Sequence, residues 1–237
     1  MLYSIRLISV SVYFVFFCLM ALAFTCIRPF NGNNTHTALK LLAPANWLMN
    51  LNVIILNQPK TSQPAVFIAN HQDLLDVFLL AKVWPKNCSV VGKVELAWVP
   101  IFGTAFWLAG NIFINRGDKN KAWQVVEQVV EKINTLNRSI LIMPEGTRSK
   151  GKGLLPFKKG AFLTAIKAGV PIIPLCISSS TNITLNDLHP KPALIKFLDP
   201  ISTEGLTEED AERLALECHE QMKASIKLLD ESLSNEF

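Results

Sequence analysis

Residues Leu7 to Ile27 carry no charged side chain, and Arg6 and Arg28 bracket them. A run of that length suffices for a helix to cross the hydrocarbon core of a bilayer. Phe14, Phe16, Phe17 and Phe24 make it bulky, and no small-x-small exit follows, so it reads as a retained membrane helix rather than a cleaved leader. After the turn-like Asn31-Gly32-Asn33-Asn34, residues Leu39, Leu41, Leu42, Trp47, Leu48 and Met49 fit a second, amphipathic helix lying in the interface. Arginine on both flanks leaves a single span unoriented by loop charge. A re-entrant helical hairpin is therefore an equal alternative to a span. The expected organisation is an N-terminal membrane helix or helical hairpin over 1–50 and an α/β domain over 51–237.

Beyond residue 52 the pattern changes to short apolar runs alternating with helical periodicity. Residues 65–69, 111–114, 139–143, 172–177 and 193–198 read as strands. Residues 74–82 and 157–168 read as helices, the second stopping at Gly169-Val170-Pro171. Ala122, Val125, Val126, Val129, Val130 and Ile133 share one helical face. A last helix begins near Thr207, capped with Asp210, and buries Ala211, Leu214, Cys218, Met222 and Leu229. Strand–helix alternation predicts an α/β fold, a mostly parallel central sheet flanked by helices, with the N-terminal membrane-binding helical segment added to it.

Half of the residues are hydrophobic, enough for a sizeable core. The net charge of +4 is too small to argue for nucleic acid and suits a headgroup layer rich in anionic lipid. The five cysteines are scattered without a C-x-x-C, so neither a disulfide frame nor a zinc site is expected.

Three polar clusters follow strand ends, where α/β sheets place their ligands. In Asn70-His71-Gln72-Asp73-Leu74-Leu75-Asp76, an imidazole can take a proton from a hydroxyl, and a carboxylate on its other nitrogen would set the tautomer. If a helix begins just after His71, Asp76 can fold back to the ring. In Pro144-Glu145-Gly146-Thr147-Arg148-Ser149, Arg148 offers a planar fork of donors for a phosphate, and Gly146 lets backbone approach a ligand. Arg116 follows Phe113-Ile114-Asn115 as a further phosphate candidate, and Lys93 and Glu95 are weaker ones. Each cluster by itself also fits a solvated strand-to-helix turn. Gly146-x4-Gly151-Lys152 begins like a P-loop but has Gly153 where Ser or Thr must hold magnesium. There is no G-x-S-x-G elbow and no cysteine with a histidine in a known local pattern.

Taken in order, these segments resemble the blocks of the glycerolipid acyltransferase family, in particular its bacterial 1-acylglycerol-3-phosphate branch. Asn70-His71-x4-Asp76 resembles the first block, and Gly92-Lys93-x-Glu95-Leu96 with Trp98-x-Pro100-x-x-Gly103 the stretch after it. Phe113-x-x-Arg116 resembles the second, Pro144 to Ser149 continuing into Leu155-Pro156-Phe157-Lys158-Lys159-Gly160 the third, and Val170-Pro171-Ile172-Ile173-Pro174 the fourth. Residues 72–75 lack the serine that many relatives carry between the His and the Asp.

The resemblance implies His71 as base and Asp76 as its orienter. It implies Glu145, Gly146, Thr147 and Arg148 as the glycerol-phosphate site, with Arg116 and Lys93 assisting, and Pro174 on the acyl-donor side. It further implies direct attack of a lysophosphatidic acid hydroxyl on a thioester. Acyl-CoA or acyl carrier protein would be co-substrate, with no cofactor and no metal. The enzyme would sit at the cell inner membrane with the active domain on the cytoplasmic side. The alternatives are an acyltransferase acting on glycerol 3-phosphate or another lysophospholipid, a non-catalytic lipid-binding protein, and a metal hydrolase using His71, Asp73 and Asp76.

Overall fold

The computed structural model describes residues 2–59, 63–115, 119–181, 183–189 and 191–236. In chain order its elements are α1 (Leu2–Ile27), α2 (Asn34–Leu42), α3 (Ala45–Leu48), β1 (Leu51–Leu56), β2 (Val66–Ala69), α4 (Leu75–Leu80), β3 (Cys88–Lys93), α5 (Phe102–Leu108), β4 (Ile112–Ile114) and α6 (Lys119–Leu136). They continue with β5 (Ser139–Ile142), α7 (Gly160–Ala168), β6 (Ile172–Ile177), β7 (Lys191–Phe197) and α8 (Ala211–Glu236). The strands form one sheet in the order β1-β7-β6-β2-β5-β3-β4. Every neighbouring pair is parallel except β6 and β7. The expected mostly parallel α/β fold is present.

Alternation along the strands sorts the core into two layers. Phe67, Ala69, Leu141, Ile173, Leu175 and Ile177 face α1 to α5. Val66, Ile68, Ile140, Ile172 and Cys176 face α6, α7 and α8. Strands buried on both faces read as unbroken apolar runs, which is why β2, β5 and β6 were legible. The helix after β2 lies on the first face and the helix after β5 on the second. The chain leaves these neighbouring strands in opposite directions, β2 toward β3 and β5 toward β6. That divergence is the topological switch point at which open α/β sheets bind ligands.

α1 lies lengthwise on the first layer. Phe17, Cys18, Ala21 and Thr25 are buried, and Phe14 stacks on Phe102 of α5. Near its start, Arg6 donates from Nη1 to the carbonyls of Leu185 (2.9 Å) and Asp187 (2.7 Å). Just past its end, Phe30 N–H donates to Leu108 O at 2.7 Å. Its other face leaves Ile8, Val12, Val15, Phe16 and Leu19 exposed. It is the described helix long and apolar enough to cross a membrane.

The expected second interfacial helix is corrected. It breaks at Pro44 into α2 and α3, and Leu39, Leu42 and Met49 enter the sheet's core. Leu41 and Trp47 remain on the surface. The helix expected from residue 157 starts at Gly160, because Lys158 N–H is taken by Pro144 O at 2.9 Å. At the other end of the chain, Thr207 and Asp210 form a reciprocal capping box ahead of α8.

Candidate active site

β2 is four residues long and buried throughout; it ends where Asn70 replaces the ladder with its side chain. Asn70 Nδ2 donates to Ile177 O (2.9 Å), and Ile177 N–H donates to Asn70 Oδ1 (2.8 Å). The chain then turns. Asp73 Oδ1 accepts Leu75 N–H at 2.7 Å and opens α4, which carries Asp76 in its first turn. Asp76 folds back, wholly buried, and its Oδ2 meets three donors: His71 Nδ1 at 2.6 Å, Gln72 N–H at 2.7 Å and Asp73 N–H at 3.2 Å. Toward the ring, Oδ2 acts as acceptor. That puts the proton on Nδ1 and leaves the lone pair on Nε2. Nε2 makes no hydrogen bond to any described residue.

The loop after β5 is stitched to this one. Ser149 N–H donates to His71 O (2.8 Å) and Lys150 N–H to Gln72 O (3.0 Å), so Arg148 stands next to a residue paired with His71. His71 and Arg148 are therefore carried by loops at the same end of the sheet. Thr147 and Arg148 are exposed. Gly146 takes φ +70°, a conformation that side chains disfavour; a Cβ there would meet only the movable end of Lys158, so the backbone conformation rather than space calls for glycine.

Glu145 does not open onto the crevice. It is buried, with Oε1 accepting His71 N–H (2.6 Å) and Oε2 accepting Leu155 N–H (2.9 Å). Oε1 braces the backbone on which His71 stands, and Oε2 holds the loop after β5 at Leu155. Lys93 ends β3, two strands from β2, and pairs with Glu95 at 2.7 Å. Arg116 lies outside the described residues.

Pro174 is buried inside β6, and by alternation it shares the face of Ile172 and Cys176, against α7 and α8. Between the bridge Ile172↔Ile201 and the pair Leu175↔Phe197, two residues of β6 (173 and 174) oppose three (198 to 200). This is a bulge, the setting in which a strand tolerates proline's missing N–H. Asp73 turns to Leu75 N–H and Ser180 Oγ (2.8 Å) rather than converging with His71 and Asp76. Among the described residues no group of three His, Cys, Asp or Glu side chains could hold a metal ion.

Sequence reasoning passed over Gln72. Its Nε2 donates to Ser178 O (2.8 Å) and its Oε1 accepts Ser180 N–H (3.0 Å), tying the His71 loop to the loop after β6. A neutral amide beside a candidate base carries no local signal. Its partners are more than a hundred residues away.

The family model described as "Acyltransferase" matches residues 50–178, which contain the whole constellation. This chain belongs to the acyltransferase family. The 1-acyl-sn-glycerol-3-phosphate acyltransferase of Haemophilus influenzae is 37% identical over 99% of each chain. The enzyme of the same name from Escherichia coli is 36% identical, over 99% of this chain and 97% of that one. In fold the acyltransferase matches the crystal structure of the 1-acyl-sn-glycerophosphate (LPA) acyltransferase PlsC from Thermotoga maritima. The TM-score is 0.72 at 23% identity, over 96% of this chain and 97% of that one.

In this acyltransferase burial pushes the Glu145 carboxyl above its ordinary value, and the amides of His71 and Leu155 pull against that. The folded chain therefore holds this proton more tightly than the unfolded chain. Its contribution to stability is full below the ordinary carboxyl range, about 4.3, and is lost as pH rises through the raised folded value. Glu145→Gln removes the titration. The stability of the unaltered protein relative to the variant is expected to fall as pH rises from about 4 upward, read by thermal melts across a pH series. A constant difference across the series would contradict this reading.

Proposed function

We propose that the chain transfers a fatty acyl group from a thioester donor, acyl-CoA or acyl carrier protein, to the sn-2 hydroxyl of 1-acyl-sn-glycerol 3-phosphate, giving phosphatidic acid. The observation that carries this reading is an imidazole whose Nε2 is unengaged among the described residues, oriented by Asp76 and joined through main-chain bonds to the turn that bears Arg148. Nε2 takes the proton of the acceptor hydroxyl as its oxygen attacks the thioester carbonyl. The C–S bond then breaks, and the leaving thiolate recovers the proton from the imidazolium. No side chain is acylated. Asp76 stabilises the imidazolium while it exists. Arg148 and the backbone at Gly146 and Thr147 hold the acceptor's phosphate, assisted by Lys93 at the end of β3 and by Arg116. Glu145 serves through His71, since both of its oxygens are engaged by backbone.

An apolar cavity of about 150 Å³ supports a long-chain substrate. It lies between the sheet and α1, α2 and α5, with Met143 and Val77 at the end nearest the dyad and Thr25 and Asn111 among its polar lining. Each buried methylene contributes about 0.8 kcal/mol. A space of this size holds a benzene-sized group. A full acyl chain therefore requires α1 or α5 to shift outward. Pro174 lies on the other face of the sheet from this cavity, against α7 and α8, so a donor-side role for it requires the donor to approach from that face. The exposed apolar face of α1 supports membrane association in the plane of the surface; the domain's position on the cytoplasmic side of the inner membrane rests on the family resemblance alone.

The test is acyl transfer in detergent with labelled lysophosphatidic acid and both donor types. Labelled phosphatidic acid is the expected product with at least one donor, and its absence with both overturns the reading. Arg148→Ala is expected to raise the acceptor KM by about tenfold or more, the loss of one charge-assisted phosphate contact. An unchanged KM would remove Arg148 from the phosphate site.

A further inference from the structure

A second groove, of about 560 Å³, opens on the α8 side of the sheet, opposite α1. Lys152, Gly153 and Leu154 form one wall and the α8 residues Lys223, Ile226, Lys227, Asp230, Glu231 and Ser234 the other. Its apolar floor is Leu154 and Ile226, and its rim carries three ammonium groups. Lys227 is 3.8 Å from Glu231, whereas Lys152 and Lys223 pair with no carboxylate among the described residues. The charge continues along the chain: residues 148–159 hold Arg148, Lys150, Lys152, Lys158 and Lys159 and no Asp or Glu.

The groove is joined to the catalytic loops at two points. Lys152 N–H closes a turn onto Ser149 O (3.1 Å), and Ser149 is the residue bonded to His71. Asp230 Oδ1 accepts Ser179 N–H at 2.6 Å, and the next residue, Ser180, holds Gln72 and Asp73. One acid of the groove is thus committed to bracing the loop after β6. What remains is a cationic slot over an apolar floor, tied through Ser149 and Ser179 to the loops at the end of the sheet where His71 stands.

We infer that this groove takes the phosphate-bearing pantetheine arm of the thioester donor, while the lipid acceptor arrives from the α1 side. The inference rests on the acyl-transfer reading above. Lys152 and Lys223 clamp phosphate oxygens, and Leu154 and Ile226 lie under the pantetheine chain. The two substrates approach the sheet edge from opposite faces, which lets a soluble donor and a membrane-held acceptor meet without crossing paths. The arm is common to acyl-CoA and to acyl carrier protein, so the phosphate is the shared chemistry.

The test compares the full-length protein with Lys152→Glu/Lys223→Glu in detergent micelles, the donor varied at saturating lysophosphatidic acid. Both side chains are exposed, and melting temperature reports whether the double variant folds; Lys223→Glu alone serves if it does not. The expected result is a donor KM raised by about tenfold or more, with acceptor KM unchanged and inhibition by free coenzyme A weakened in proportion. The donor KM of the unaltered protein should also climb more steeply with salt than that of the variant. A rise for palmitoyl-CoA and palmitoyl-acyl carrier protein alike places the arm's own phosphate in the groove. A rise for palmitoyl-CoA alone places the nucleotide phosphates there instead of the arm and overturns the inference. An unchanged KM for both donors overturns it. So does a defect confined to binding of phosphatidylglycerol vesicles, which would make the groove a lipid-headgroup contact. Absence of acyl transfer by the unaltered protein would defeat the functional reading instead.

Discussion

His71→Ala is expected to lower kcat by about 10²–10⁴-fold, the range a positioned general base supplies. Fold and membrane binding should survive. Among the described residues the ring makes one hydrogen bond, to Asp76 Oδ2, and that oxygen retains the amides of Gln72 and Asp73 when the ring is gone. The backbone of residue 71 stays pinned between Glu145 Oε1 and Ser149 N–H, neither of which uses the side chain. Circular dichroism, vesicle sedimentation and rates on one preparation separate the outcomes. A folded, membrane-bound variant with near-normal turnover would remove His71 from the chemistry.

Asp76→Asn is expected to cost a similar factor while both KM values hold. The substitution keeps shape and volume at a wholly buried position, so the backbone turn can persist. The charge is lost, and with it the stabilisation of an imidazolium that exists only as the acceptor attacks. An amide that turns its NH2 toward the ring would also place the proton on the wrong nitrogen. In a serine protease the corresponding replacement cost about 10⁴-fold. A drop in kcat with unchanged KM separates this orienting role from a packing role, which would lower melting temperature and disturb KM as well. Full activity in the folded variant would show that His71 acts without its partner.

Much of this arrangement was legible before any coordinates. β2, β5 and β6 are buried on both faces, so each appears as a continuous apolar run broken by polar residues where the site begins. The Asp76 turn was readable because a carboxylate in the first turn of a helix can reach back to the residues before it. β1 and β3 were not recognised. β1 is a half-exposed edge strand whose partner, β7, lies far along the chain, and β3 holds Gly92 and ends in a lysine.

The residues 39–49 misled for a different reason. Apolar side chains at helical spacing look the same whether they face lipid or a sheet, and only the packing of Leu39, Leu42 and Met49 distinguishes them. Glu145 reads as a phosphate-site residue only because it adjoins Gly146, Thr147 and Arg148 in the sequence. Its position under His71 depends on two loops meeting across the switch point, which no local pattern encodes. Pro174 likewise sits where a bulge accommodates it, on the face away from the apolar cavity.

The central claim is that one acceptor molecule bridges the imidazole and the guanidinium at this end of the sheet. The direct measurement is a structure of the protein with lysophosphatidic acid bound. The expected result is a free glycerol hydroxyl about 2.6–3.2 Å from His71 Nε2 with the phosphate against Arg148. A phosphate seated elsewhere, or a hydroxyl directed away from Nε2 while the ring keeps its bond to Asp76, would contradict it.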